Sequence, residues 1–216
     1  IAVYGSPAAT ADRVYIATYD GRFFSLYADT GGVALQYPLG DEKALGIIVG
    51  GPVVVPDQGI VLLGSSDGNL YAFDAERRGL PLWSFQTEDK IWSTPVVEGD
   101  TVYFSSMDGN VYAIRVSRES PTLLQTYSTM GTLVSPPLIA GDTLYVGSFD
   151  RNFYAFDLQT AETKGTFESE GGFWSKPLLF GEYIYVGSLD GKIYRARAAD
   201  VTQSEVLVET GGPVRA

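Results

Sequence analysis

The sequence has no cysteine and no histidine among its 216 residues. The first absence removes disulfides and thiolate chemistry. It fits an oxidising or a reducing compartment equally, so composition leaves location open. The second removes the commonest general base and every Ser-His-Asp or Cys-His arrangement, and a zinc site would lack both preferred ligand types. Long apolar runs are missing too. Nothing approaches the roughly 20 residues of a membrane helix, and no segment carries an extended 3.6-residue apolar period. No signal peptide is visible in a chain that opens at Ile1 rather than Met, and a membrane tether through a preceding segment stays open. Positive charge is scarce: 15 Lys and Arg face 26 Asp and Glu, a net charge of −11. That balance opposes phosphate backbones and anionic lipid surfaces and argues against nucleic acid as a partner. The acids are scattered over turns and read as solvated surface charge.

What is present is a short pattern repeated five times. Its copies are Val14–Gly21, Val61–Gly68, Val102–Gly109, Leu144–Arg151 and Ile184–Gly191, each a β-branched or aromatic run ending in aspartate and, in four of five, glycine. The aspartates Asp20, Asp67, Asp108, Asp150 and Asp190 are 47, 41, 42 and 40 residues apart. This is the period of four-stranded propeller blades. Asp-Gly between two apolar runs predicts a tight two-residue hairpin with positive φ angles. An aromatic follows each aspartate by four residues (Phe24, Tyr71, Tyr112, Tyr154, Tyr194) beside another apolar residue, which predicts strands buried on both faces. Pro7, Pro95, Pro137 and Pro177 stand 13 residues before their aspartates and open a first strand. Pro52 stands 15 before, placing two extra residues in the turn Pro56–Gly59. A fourth strand follows each hairpin, as at 82–86 and 123–127.

The expected fold is therefore all-β: a β-propeller of four-stranded antiparallel blades in a single domain. The blades fall near 5–45, 46–90, 91–132, 133–173 and 174–210, with 211–216 leading into a further one. Five blades in an open arc would leave an apolar face and a strand edge exposed, so a larger closed ring of six to eight blades is expected, with a five-bladed ring as the alternative.

The stretch Pro95–Ile114 (PVVEGDTVYFSSMDGNVYAI) resembles the repeat of the pyrroloquinoline-quinone-like propellers. So does Asn69-Leu70-Tyr71-Ala72-Phe73-Asp74 with Gly79 and Trp83, which looks like that family's blade-docking motif. Phe167 in the fourth repeat, and Leu124 or Tyr127 in the third, are read as counterparts of Trp83. The resemblance covers essentially the whole chain and is closest in type to the non-enzymatic propeller lipoproteins of the bacterial outer-membrane β-barrel assembly machinery. It implies a non-catalytic interaction scaffold in the cell envelope, periplasmic or cell-surface, with a protein or peptide partner and no cofactor. A fragment of a quinone-dependent dehydrogenase is the alternative, although the cysteine pair of those enzymes has no counterpart here. The ligand-sensing ectodomain of a membrane receptor is a third reading.

No catalytic, cofactor-binding or metal-binding residue is assigned. The carboxylate pairs Asp41/Glu42, Glu88/Asp89 and Glu168/Glu170 lie in interblade connections and read as turn charges. Thr18, Ser65, Ser106, Ser148 and Ser188 recur two residues before every hairpin aspartate, which points to backbone bonding at the turn rather than chemistry needed once. Just before those aspartates the pattern is released: Tyr19, Ser66, Met107, Phe149 and Leu189. In propellers of this type the same rim carries the connections into each blade, with Ile48, Trp92, Val134 and Trp174. These nine residues are the candidate partner-binding set. For Trp92, Val134 and Trp174 the competing expectation is interblade core.

Overall fold

The computed structural model describes residues 2–40, 42–77 and 79–215; the candidate carboxylate Asp41 lies outside them. Five sheets follow one another along the chain. The first contains β1 (Ala8–Ala9), β2 (Arg13–Ala17), β3 (Phe23–Tyr27) and β4 (Val33–Tyr37), and the second β5 (Val53–Val55), β6 (Ile60–Gly64), β7 (Asn69–Asp74) and β8 (Trp83–Gln86). The third contains β9 (Val96–Glu98), β10 (Thr101–Ser105), β11 (Asn110–Arg115) and β12 (Thr122–Ser128). The fourth contains β13 (Leu138–Ala140), β14 (Thr143–Gly147), β15 (Asn152–Asp157) and β16 (Thr163–Glu168). The fifth contains β17 (Leu178–Phe180), β18 (Tyr183–Gly187), β19 (Lys192–Arg197) and β20 (Asp200–Glu209). Within each sheet sequence neighbours are spatial neighbours and every pairing is antiparallel, so each sheet is an up-and-down blade of a β-propeller.

Burial between blades explains the unbroken apolar strands. Every residue of β6 and of β14 is buried, as expected for strands sandwiched on both faces. One cluster joins Phe23 and Leu35 of the first blade to Val61 and Phe73 of the second. Another joins Phe153 and Phe167 of the fourth to Val186 and Tyr194 of the fifth. Each interface also carries one aromatic donor aimed at a turn carbonyl of the next blade. The Tyr15 hydroxyl donates to Ala75 O at 3.1 Å, Trp83 Nε1 to Ser117 O at 2.8 Å, the Tyr127 hydroxyl to Leu158 O at 2.8 Å and the Tyr145 hydroxyl to Ala198 O at 2.6 Å. A buried carbonyl needs such a partner.

This corrects the docking-motif correspondence. Trp83 lies opposite Ala72, and the residues in that register are Gln125 opposite Ala113 and Gly165 opposite Ala155. Tyr127 and Phe167 instead align with Phe85. Blade docking is thus kept by tyrosines where the tryptophan is absent: Tyr127 on the same fourth strand, two residues further along, and Tyr15 and Tyr145 on second strands.

The hairpin tips also differ from expectation. Only the residue after each aspartate has positive φ: Gly21, Gly68, Gly109 and Gly191 at 82°, 85°, 91° and 82°, and Arg151 at 74°. The Gly68 N–H donates to Ser65 O and the Ser65 N–H to Asn69 O, with the same bonds at the other tips. Each tip is a β-turn closed by a left-handed residue, one residue longer than the two-residue hairpin. Arg151 takes that conformation against the steric preference of its Cβ. Arg151→Gly is therefore expected to stabilise the protein by about 1 kcal/mol, raising the thermal midpoint by roughly 2–4 °C; an unchanged or lower midpoint contradicts the strain. The two extra residues of the second repeat form a single 3-10 turn, Pro56–Gln58, closed by left-handed Gly59.

Candidate functional site

Strand direction sorts the loops into two ends. The turns joining first to second strands and third to fourth strands share one end, where they are linked by bonds such as Ala75 N–H to Gly59 O and Leu158 N–H to Asp142 O. The hairpin tips and the interblade connections therefore share the other end, the mouth. There the residue before each aspartate donates its N–H to a carbonyl of the connection entering its own blade: Tyr19 to Ala2, Ser66 to Ile47, Met107 to Lys90, Phe149 to Thr132 and Leu189 to Gly172, all at 2.8–3.0 Å. The backbone at these variable positions is pinned by the same bond in every blade, whatever the side chain.

The repeated aspartates hold this arrangement. In four blades one carboxylate oxygen accepts the N–H two residues on, at Asn69, Asn110, Asn152 or Lys192. The other oxygen accepts the tyrosine hydroxyl four residues on at 2.7–2.8 Å. That second oxygen also accepts a backbone N–H of the incoming connection, from Gly46, Glu88, Met130 or Glu170. The spacing of aspartate and tyrosine is visible in sequence, and its bond is the signal sequence reading missed. In the first blade Phe24 has no hydroxyl, and Asp20 instead accepts from Thr18 and pairs with exposed Arg22 at 3.2 Å. Burial alone would raise the Asp67 and Asp190 pKa values, but hydrogen bonds from Tyr71 or Tyr194 and the adjoining backbone outweigh it and hold both below the usual range. The hydroxyls before the aspartates bond backbone: Ser65, Ser106, Ser148 and Ser188 each accept the aspartate N–H.

The tyrosine partners are shifted the other way. Burial, reinforced by the Asp150 hydrogen bond and charge, pushes Tyr154 up to about 12, and burial does the same for Tyr127. Tyr71, Tyr112 and Tyr194 are raised by burial and then by their aspartates. An unfolded tyrosine titrates near 10, so the folded state holds these protons more tightly. Their stabilisation is complete below pH ~10 and is lost as pH rises towards the folded values. The thermal midpoint is expected to fall progressively between pH 10 and 12 in calorimetry; a flat profile there would show that these hydroxyls do not matter.

The structure separates the nine candidates. Tyr19 is 40% exposed, with its ring 5.1 Å from that of Tyr4. Phe149 is 37% exposed and meets the Trp174 ring edge-on at 6.0 Å. Met107 and Leu189 are half-buried at their tips. Ser66 donates to Ile47 O and accepts from Trp92 Nε1 at 2.7 Å. Ile48 is a correction: at 1% exposure it is core, equivalent to Ile91, Leu133 and Phe173. Counting back three residues from each first-strand proline gives Tyr4, Val49, Trp92, Val134 and Trp174, so Val49 belongs in its place.

Those five positions, together with Lys176 and Arg215, line a funnel of about 370 Å³ at the centre of the mouth. Trp92 and Trp174 are thus neither rim nor interblade core; their rings lie 6.2 Å apart on the funnel wall. Val134 reaches the funnel but is only 5% exposed, which corrects its assignment to an accessible rim. Sequence reading also missed Met130, 91% exposed on the connection into the fourth blade.

Three of the candidate carboxylates each have a partner of their own. Glu168 pairs with Arg151 at 3.2 Å and Glu170 with Lys192 at 2.6 Å, while Asp89 accepts the Lys90 N–H. Among the described residues no three acidic side chains are grouped to hold a metal ion, and no helix is long and apolar enough to cross a membrane.

A family model described as outer membrane protein assembly factor BamB matches residues 2–204. No curated protein matches the sequence. Among solved structures, BamB from Moraxella catarrhalis is similar at a TM-score of 0.71 and 20% identity, over 96% of this chain and 61% of that one. The computationally designed Ika8 protein is similar at a TM-score of 0.76 and 15% identity, over 99% of this chain and 64% of the other. The chain therefore spans less than two thirds of the length of either, and at these identities the likeness is one of fold. With the family model spanning nearly every residue and five PQQ-like repeats folding as blades, the chain belongs to the outer membrane protein assembly factor BamB family.

Proposed function

We propose that the protein is a non-catalytic scaffold of the bacterial cell envelope that holds a protein component of outer-membrane protein assembly against its propeller mouth. One observation carries this reading: the apolar side chains gathered where the third and fourth blades meet. Met130 projects into solvent, Phe149 is exposed on the adjoining tip, and both N–H and hydroxyl of Thr129 bond Gly109 O, drawing the Met130 segment onto the tip that bears Met107. These are the only two methionines in the chain, and methionine repacks readily against a partner. Exposed apolar side chains rimmed by charges such as Glu88, Asp89 and Lys90 have the composition of a contact surface. The family description supports the extracytoplasmic setting.

As part of the same reading, the five blades belong to a larger ring. The last sheet exposes Leu178, Phe180, Val206, Leu207 and Val208, and Val214 docks over Gly187 as Ile91 does over Gly64 and Phe173 over Gly147. The quinone and calcium of the related dehydrogenases do not fit these residues. There is no cysteine pair, and all five tip aspartates are engaged in turn bonds or an ion pair.

A photo-crosslinking amino acid at Met107, Met130 or Leu189 is expected to capture one discrete envelope protein in cells, and the same probe at Asp57 or Glu119, on the opposite end, none. Tyr19→Ser, Met107→Ser and Met130→Ser together should reduce that capture about tenfold with little change in thermal midpoint. Equal capture from both ends, or none from the mouth, would sink the reading.

A further inference from the structure

We infer that the central funnel accepts an acidic side chain from an inserted peptide segment of the partner, so that the mouth reads charge at its centre and apolar surface at its rim. This rests on the scaffold reading above. The chain carries a net charge of −11, yet the funnel lining includes two cations, Lys176 and Arg215, and, among the described residues, no aspartate or glutamate. Nine other cations of the protein are held in ion pairs; Lys176 and Arg215, like Lys43, Arg77 and Lys90, have none among the described residues, and of these only Lys176 and Arg215 share one concave site. Two unneutralised charges converging on one concave site create a local field opposite to that of the whole molecule, and concave walls focus it.

The wall beside them is apolar and held in place. Trp92 is fixed by its bond to Ser66, and Trp174 is braced by Trp92 and by Phe149. Behind it, buried Ser105 donates to Ser135 O and Ser135 to Ser175 O, both at 2.8 Å, tying the connections into the fourth and fifth blades together. The Val214 N–H, bonded to Ser188 O, sets Arg215 in the frame that Trp92 and Trp174 occupy. A carboxylate on a short stem can meet the cations while its flanking carbons lie on the indoles. The acids Glu88, Asp89 and Glu170 remain outside the lining, so a partner with an acid at its centre and neutral or basic flanks is the one that fits.

Trp92 and Trp174 are two of the three tryptophans and the third, Trp83, is buried between blades, so indole emission reports on the funnel. Iodide is expected to quench the purified protein about twofold more effectively than caesium despite its net negative charge, and Lys176→Glu with Arg215→Glu should reverse that order at an unchanged thermal midpoint. A capped GFEG tetrapeptide should shift the emission saturably, and its GFQG counterpart should bind about fivefold more weakly. Caesium quenching equal to or above iodide in the parent protein, or equal binding of the two peptides, overturns the inference. If the charge-reversed protein keeps full rim crosslinking to its partner, insertion into the funnel is likewise overturned while the scaffold reading stands.

Discussion

Gly147→Ala is expected to destabilise the protein by about 3 kcal/mol, lowering the thermal midpoint by roughly 6–12 °C. Gly147 ends the second strand of the fourth blade, and its backbone lies directly beneath the side chain of Phe173, the first core residue of the next connection. A methyl group there would overlap Phe173 Cβ and lie 2.7 Å from its Cγ. Its φ is not in the left-handed region, so the cost is purely steric. Phe173 cannot give way, because its ring is packed between Phe153, Phe167 and Tyr194 and its N–H is bonded to Ser148 O. Gly79→Ala is the internal comparison: nothing lies within 4 Å of that position, and removing backbone freedom from the unfolded chain should leave stability unchanged or raise it by up to about 1 kcal/mol. Denaturant unfolding of both variants checks the argument, and a Gly147→Ala protein as stable as Gly79→Ala contradicts it.

Asp150→Ala should cost about 3 kcal/mol as well, through lost hydrogen bonds rather than overlap. The Asp150 carboxylate accepts the Asn152 N–H at 2.8 Å, the Tyr154 hydroxyl at 2.8 Å and the Met130 N–H at 3.1 Å. Removing it strands these three donors and the Asn152 side-chain amide, which also bonds the carboxylate at 3.2 Å; one of the four is the hydroxyl of a buried tyrosine. Asp20→Ala, at the equivalent place in the first blade, should cost under about 1 kcal/mol, because Phe24 offers no hydroxyl and the Arg22 pair is exposed on both sides. Equal effects at the two sites would show that the turn alone matters and that the tyrosine bond contributes nothing. The Asp150 variant should also weaken partner capture, since the lost Met130 bond frees the segment bearing the most exposed apolar side chain of the mouth.

Much of the mouth's scaffold could be read in advance. Hydroxyl, aspartate and tyrosine recur at fixed offsets, and a bond between side chains four residues apart across a tip is a local event set by the turn. The Ile48 error shows where that reading stops. The connections are irregular, without a strand's alternation to say which of two adjacent apolar residues faces inward, and only the frame counted from the first-strand proline separates Ile48 from Val49. Met130 was overlooked because its counterparts in neighbouring connections are Glu88 and Glu170, so nothing in the repeat marks the position as exposed and apolar.

The sequence by itself determined the blade: four strands, the place of each tip though not its length, the period of the repeat and the absence of histidine or cysteine chemistry all follow from residues close together in the chain. The tertiary structure alone decided which side chains meet. It placed Trp92 of one connection against Trp174 of another two blades away, drew Lys176 and Arg215 into one funnel, and let Tyr15, Tyr127 and Tyr145 take over the docking role of Trp83. The reason is physical. Local offsets are fixed by backbone geometry within a blade, whereas meetings across blades depend on the curvature set by packing one sheet on the next, a property of the summed interfaces that no single repeat encodes.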